Sequence, residues 1–184
     1  MKWISTPLES IWLLDPEPVT DSRGLFTRLW CEREAAEHGL STRWVQQNLS
    51  LTTAANTFRG LHYQLPPHAE AKLIRCTRGD IWDVVVDLRP DSPTWLQCFG
   101  AQLNAENRRA LYLPEGCAHG FLSLCENSEV QYSVSAFYAP SAERGLRWDD
   151  PAIQLRLPAT VLHTSPKDGA WPRFEGNEGR DHDR

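Results

Sequence analysis

Leu113-Pro114-Glu115-Gly116-Cys117-Ala118-His119-Gly120-Phe121 sets a P-x-G-x-x-H spacing between two short apolar runs. Proline and glycine make the turn, and His119 returns inward on the strand that follows. Strand and turn alternate outward from this point in both directions. Residues 11–14, 25–30, 44–52, 72–77, 81–88, 95–103, 110–113, 121–125 and 130–138 are short runs, most of them rich in Val, Ile, Trp, Phe, Tyr and Thr. Gly79-Asp80, Arg89-Pro90-Asp91, Pro114-Glu115-Gly116 and Glu126-Asn127-Ser128 break them. Within 81–88, Trp82, Val84, Val86 and Leu88 share one face and Asp83, Val85 and Asp87 the other, the period of a strand with one strongly apolar side. Only 32–38, stopped by Gly39, reads as helix. Many short strands in one domain predict an all-β sandwich or barrel.

The composition excludes several functions. The 184 residues suffice for one domain, or one domain with an arm. Nineteen Lys and Arg against 24 Asp and Glu give a formal charge of −5, unsuited to a general nucleic-acid or anionic-membrane binder. The apolar stretch 11–14 is too short for a signal segment, and nothing approaches a membrane span. Five cysteines with no C-x-x-C pair, several in apolar runs, predict buried reduced thiols and a cytoplasmic protein.

The P-x-G-x-x-H spacing resembles the second motif of the cupins, jelly-roll barrels of the double-stranded β-helix type. A metal-binding cupin brings two histidines and a Glu in its first motif. Here the matching stretch is Gly60-Leu61-His62-Tyr63-Gln64, with His68 and Glu70 beyond Pro66-Pro67 on a loop of different facing. His62 and His119 with no third ligand fall short of a transition-metal set, so neither metal nor cofactor is expected.

An ordered set of strings from Asp21 to Asp168 resembles one cupin family, the dTDP-4-dehydrorhamnose 3,5-epimerases. These are Asp21-Ser22-Arg23-Gly24-Leu25-Phe26, Gln47-Asn48, Arg59-Gly60-Leu61-His62-Tyr63-Gln64, Lys72-Leu73, Gly79-Asp80-Ile81-Trp82-Asp83-Val84, the segment 114–121, Tyr132, Tyr138-Ala139-Pro140, the segment 143–151 and Ser165-Pro166-Lys167-Asp168. The resemblance implies a cupin domain over residues 1–168, a polar tail over 169–184, and an arm over 1–30 that crosses to the partner of a homodimer. It implies as substrate a dTDP-linked 4-keto-6-deoxy sugar, inverted at C3 and C5 through enolates.

Such chemistry needs a base on one face, a proton donor on the other and a positive group at the enolate oxygen. By resemblance His62 is the base, Asp168 orients it, Tyr132 is the acid and Lys72 stabilises the enolate. Arg23, Arg28, Gln47, Asn48, Arg59, His119, Glu143 and Lys167 are implied to bind the nucleotide sugar, Arg23 from the neighbouring subunit. An imidazole titrates near neutrality, which suits the base, and Arg offers paired donors to phosphate. On spacing alone, Tyr132 between Val130 and Val134 reads as a core aromatic and Lys72 as a surface lysine on an edge strand.

Three positions depart from the family pattern: Arg28 replaces a usual Glu, Gln47 a common Asp, and Ser133 a common Lys. They touch the nucleotide more than the acid–base pair. The alternatives are inversion at C3 alone on a related nucleotide sugar, nucleotide-sugar binding without turnover, and a metal-dependent cupin enzyme.

Overall fold

Short strands dominate residues 1–174, the part of the chain that the computed structural model describes. In chain order these are β1 (Lys2–Ser5), β2 (Trp12–Asp15), β3 (Val19–Asp21), β4 (Gly24–Phe26), helix α1 (Glu32–Glu37), β5 (Gln46–Thr52), β6 (Thr57–Gln64), β7 (Lys72–Arg78), β8 (Asp80–Asp87), β9 (Cys98–Asn104), β10 (Ala110–Leu113), β11 (Cys117–Ser123), β12 (Ser128–Val134), β13 (Glu143–Gly145), β14 (His163–Thr164) and helix α2 (Pro166–Gly169). The first sheet runs β1-β2-β10-β7-β12-β5 and the second β13-β6-β11-β8-β9, with β14 added parallel to β6. The two sheets form the cupin-type jelly roll. No helix among the described residues is long and apolar enough to cross a membrane.

The inner faces meet in a core that includes Leu13, Ile74, Leu111 and Val130 from the first sheet and Ile81, Val85, Leu103, Cys117 and Phe121 from the second. Two further clusters cover the outer faces. Val84, Val86, Phe58, Leu61 and Leu122 pack beneath the segment running from Leu146 to Val161 and against Phe174. Leu14, Ala110 and Tyr112 lie under Trp3, Trp12, Trp30 and Trp44. The apolar face of β8 therefore points away from the barrel interior. Its second face carries Ile81 and Val85 inward together with two wholly buried carboxylates, Asp83 and Asp87. Asp87 is satisfied by Arg89, Ser92 and Thr94.

The amino-terminal stretch expected as an exchanged arm divides in two. β1 and β2 belong to the chain's own first sheet, because Leu8, Ile11, Leu13 and Leu14 are buried against it. Only the β3–β4 hairpin stands off, with all six strand residues exposed and Phe26 76% accessible. At the other end, packing continues past the expected boundary at Asp168. Trp171 sits against Gly145, and the Phe174 N–H donates to Asp150 at 2.6 Å. Residues 175–184 of the expected tail lie outside the described residues.

β6 was not among the runs expected as strands from composition, yet it carries the residues that matter most. Its register with β11 pairs His119 with His62 and Phe121 with Arg59. Between these pairs the single residue Gly120 of β11 opposes both Gly60 and Leu61 of β6, so β6 holds one extra residue, a β-bulge. Strict alternation from Arg59 would send His62 to the outer face. The extra residue resets the pattern, so Arg59 and His62 face inward while Phe58 and Leu61 face out.

Gly60 occupies the bulge at φ +117°, and a Cβ there would meet Gly120 Cα at 2.6 Å and the His119 carbonyl oxygen at 2.7 Å. Both obstacles are backbone. Gly60→Ala is expected to cost at least about 3 kcal/mol and to lower the thermal midpoint by about 6–12 °C. Calorimetry of the variant against the parent checks this.

Candidate active site

One end of the barrel interior is polar and open. It holds a cavity of about 470 Å³ with walls from both sheets, two loops and α2. β5, β7 and β12 of the first sheet contribute Asn48, Lys72 and Tyr132. β6, β11 and β13 of the second contribute Arg59, His62, His119 and Glu143. The core residues Phe121 and Val134 also border it.

His62 faces this space from β6. Its Nε2 lies 2.6 Å from Asp168 Oδ1, leaving Nδ1 as the nitrogen able to take up a proton. Asp168 is itself fixed: its Oδ2 accepts the Gly60 N–H at 3.3 Å, and its own N–H donates to Ser165 Oγ at 3.0 Å. Burial opposes the ionised carboxylate, but the hydrogen bond and charge of His62, with the Gly60 N–H and Ser165, hold its pKa below the ordinary value. An ionised carboxylate beside an imidazole is the arrangement that orients a histidine base and stabilises its protonated form.

Tyr132 faces the same cavity from the opposite sheet, paired in register with Asn48 and Ile74. Burial pushes its phenol above the usual tyrosine value; Arg59 draws it down, and Glu70 and Glu143 push it further up. The phenol therefore keeps its proton at neutral pH, as a donor requires.

Lys72 is nearly enclosed at 6% exposure, with Nζ 3.1 Å from Glu70 Oε1 and donating to the His62 carbonyl at 3.1 Å. Gln64 holds this corner together. Its amide nitrogen donates to Glu70 and to the His68 carbonyl, and its oxygen accepts the Ala139 N–H at 2.6 Å. His68 itself is exposed on the loop after Pro67. Among the described residues, no three His, Cys, Asp or Glu side chains converge on a metal position.

Deeper in the barrel, His119 Nε2 lies 2.7 Å from Asp83 Oδ1. Complete burial pushes the Asp83 carboxyl up, against the pull of His119 and Lys72, and its second oxygen has no partner among the described residues. Nearer the mouth, Lys167 and the Tyr138 hydroxyl both reach Glu143 Oε2, at 2.6 and 2.7 Å. Arg59 is aimed by Thr52 Oγ1 at 2.9 Å and by the Leu51 carbonyl at 3.1 Å.

Of the twelve residues expected at the site, nine line this cavity and three do not. Gln47 lies on the outer face of β5, donating to Ser133 Oγ at 3.2 Å. Adjacent strand residues point to opposite faces, so Gln47 and Asn48 cannot both face inward; Gln46 and Ser50 accompany Asn48 instead. Arg28 pairs with Glu34 at 2.8 Å, between β4 and α1. Arg23, 88% exposed on the hairpin, pairs with Asp21. Neither arginine reaches the cavity of its own chain. Glu70, Gln64, Asp83 and Tyr138 are additions that residue type alone did not single out.

Fold and site together define a cupin-type barrel with acid–base side chains from both sheets around an interior cavity. The family model for dTDP-4-dehydrorhamnose 3,5-epimerase matches residues 5–176. The chain is 40% identical over 177 residues to the dTDP-4-dehydrorhamnose 3,5-epimerase of Sinorhizobium fredii, covering 94% of this chain and 89% of that one. Its structure superposes on the dTDP-4-dehydrorhamnose 3,5-epimerase of Bacillus anthracis, solved with TDP and pyrophosphate bound, at TM-score 0.90 and 39% identity, over 94% and 99% of the two chains. A 3'-monoepimerase from Streptomyces bikiniensis, solved with dTDP-quinovose, aligns at TM-score 0.83 and 29% identity over 91% and 85%. The chain belongs to the dTDP-4-dehydrorhamnose 3,5-epimerase family and is an isomerase.

Removing Glu70 leaves the enclosed Lys72 ammonium without its carboxylate. Breaking one side of such a pair costs more than the pair contributes. Glu70→Ala is expected to lose about 3 kcal/mol in urea unfolding.

Proposed function

We propose that the protein inverts C3 and then C5, or C5 and then C3, of dTDP-4-dehydro-6-deoxy-D-glucose, giving dTDP-4-dehydro-L-rhamnose by acid–base chemistry alone. The observation that carries this reading is a histidine with its own carboxylate on one sheet and a half-buried, protonated tyrosine on the other, both lining one cavity. The C4 ketone acidifies the hydrogens on both neighbouring carbons. His62 Nδ1 removes one of them, and Asp168 stabilises the imidazolium. The Lys72 ammonium meets the charge that develops on the C4 oxygen. Tyr132 delivers a proton to the opposite face of the carbanion and recovers its own from solvent.

Arg59, Lys167, His119, Glu143 and Asn48 hold the nucleotide sugar in this reading, the cations meeting the diphosphate. Greater identity to the 3,5-epimerases than to the 3'-monoepimerase supports inversion at both carbons. Five free cysteines suit a reducing cytoplasm. The product feeds deoxysugar assembly, as for surface polysaccharide.

The working unit is a homodimer in this proposal. The β3–β4 hairpin carries exposed Val19, Leu25 and Phe26, and β5 at the sheet edge exposes Leu49 and Leu51, apolar surface that a second copy would cover. The hairpin would carry Arg23, with Arg28 just beyond it, to the neighbour's cavity.

Solvent exchange tests the chemistry. In D2O the purified protein should place deuterium at both C3 and C5; exchange at C3 alone moves the reading to a monoepimerase, and none at either carbon overturns it. His62→Ala and Tyr132→Phe should each lower kcat by about 10²- to 10⁴-fold, with dTDP still bound in calorimetry. Because burial raises the Tyr132 pKa, its loss of the donor proton should begin only above the ordinary tyrosine range. The alkaline limb of kcat should therefore lie higher than a solvent-exposed phenol would give.

Subunit mixing tests the shared site. An Arg23→Ala protomer paired with a His62→Ala protomer keeps one intact site if Arg23 serves the neighbour. Random reassociation should then recover about a quarter of wild-type activity, whereas an Arg23 acting within its own chain recovers none.

A further inference from the structure

Trp171 lines no part of the cavity, yet it touches two of its side chains and the strand behind them. Its ring lies edge-on to His62, centroids 6.3 Å apart at 68°. The Lys167 ammonium sits 5.6 Å from its centroid, within cation–π range. Its indole rests directly on Gly145: a Cβ at that position would fall 2.2–2.5 Å from ring atoms Cε2, Nε1 and Cδ2. Gly145 is the register partner of His62 between β13 and β6. The glycine makes room for the indole on the backbone beside the base.

α2, which carries Asp168, is four residues long and cannot hold its position by helix formation alone. Ser165 caps it, and Arg147 Nη1 donates to the Gly169 carbonyl at 3.3 Å. β14 leads into it along β6. Trp171, two residues beyond the helix, ties this end of the chain to β13 through Gly145 and to α2 through the Lys167 ammonium. The indole nitrogen is buried without a partner among the described residues, so the ring is placed there for its surface and shape.

We propose that Trp171 is a positioning residue. Seated on Gly145, it fixes α2 so that Asp168 stays in hydrogen-bond contact with His62, and it keeps water from that flank of the pair. The proposal rests on His62 being the base. A misplacement of about 1 Å at a site of this kind costs up to about a hundredfold in rate. Lys167 keeps its own contact with Glu143 at 2.6 Å, so nucleotide binding depends on the indole far less than proton transfer does.

The test uses Trp171→Ala, Trp171→Phe and Gly145→Ala in the full chain. Trp171→Ala should lower kcat at least about tenfold while the dTDP Kd from calorimetry moves less than about threefold. Trp171→Phe, which retains a ring over Gly145, should recover most of the loss. Gly145→Ala pushes the indole away from the opposite side and should lower kcat as well. The double variant Gly145→Ala/Trp171→Ala should be no slower than the worse single change, because both act on one contact.

A readout independent of turnover accompanies these. With ¹⁵N-labelled histidine, the downfield Nε2–H resonance of His62 should be present in the parent and in Trp171→Phe and lost in Trp171→Ala. Retention of kcat within about twofold together with that resonance overturns the proposal. So does a parallel fall of kcat, dTDP affinity and thermal midpoint, which marks a structural role only. If the parent shows no sugar exchange while the resonance follows the indole as described, the functional reading fails and the positioning contact stands.

Discussion

Arg59 and His62 share a cavity because β6 is one residue longer than the stretch of β11 it pairs with. The surplus sits at Gly60, where a positive φ and backbone contact with Gly120 leave no space for a side chain. Without that offset the strand would alternate strictly, and one of the two side chains would point into the outer apolar cluster. The same residue serves the site a second time, since its N–H donates to Asp168 Oδ2. Backbone geometry and carboxylate placement are thus settled at a single position.

Placing so many ionisable groups at one end of a protein interior is costly unless each has a partner. The structure meets this by pairing: His62 with Asp168, His119 with Asp83, Lys72 with Glu70 and Lys167 with Glu143. Arg59 is held instead by neutral oxygens, which keeps its charge available for an anionic ligand. Asp83 is the exception, with one oxygen in full burial unpartnered among the described residues. In the proposed mechanism, balanced pairs let a proton pass from C3 or C5 to His62 without creating an isolated buried charge.

The sequence was legible wherever a local rule governed the residue. The turn at Pro114 and Gly116, the β-rich runs and the short helix after Cys31 follow from composition and spacing, and the structure contains them, with the 25–30 run ending as strand at Phe26 and the 130–138 run at Val134. β6 escaped those rules because a bulge destroys the period of two that would have marked Thr57–Gln64 as a strand. Resemblance recovered it through His62 and Arg59. Gln47 went the other way: two adjacent polar residues matched a motif, but a strand can turn only one of them inward. Gln64 and Trp171 act through Ala139 and Gly145, chain segments that come together only in the barrel, and Glu70 matters through the enclosure of Lys72, which the fold alone imposes. The inward carboxylates of β8 have the same origin. The alternation was visible, but which face would be covered depended on the carboxy-terminal segment laid over Val84 and Val86.

That segment also makes the site a property of the whole barrel. His62 and Asp168 are 106 residues apart, and Asp168 arrives only after the chain has completed both sheets and crossed the outer face of the second. Its placement depends on β14 pairing with β6 and, in the inference drawn from Trp171, on an indole lying over Gly145. A partly folded chain can hold an exposed imidazole, but not one aligned by a fixed carboxylate opposite a half-buried phenol. Proton abstraction beside a ketone demands that alignment. Under the proposed chemistry, assembly of the base therefore requires the docked carboxy-terminal segment, which couples activity to its packing on the second sheet.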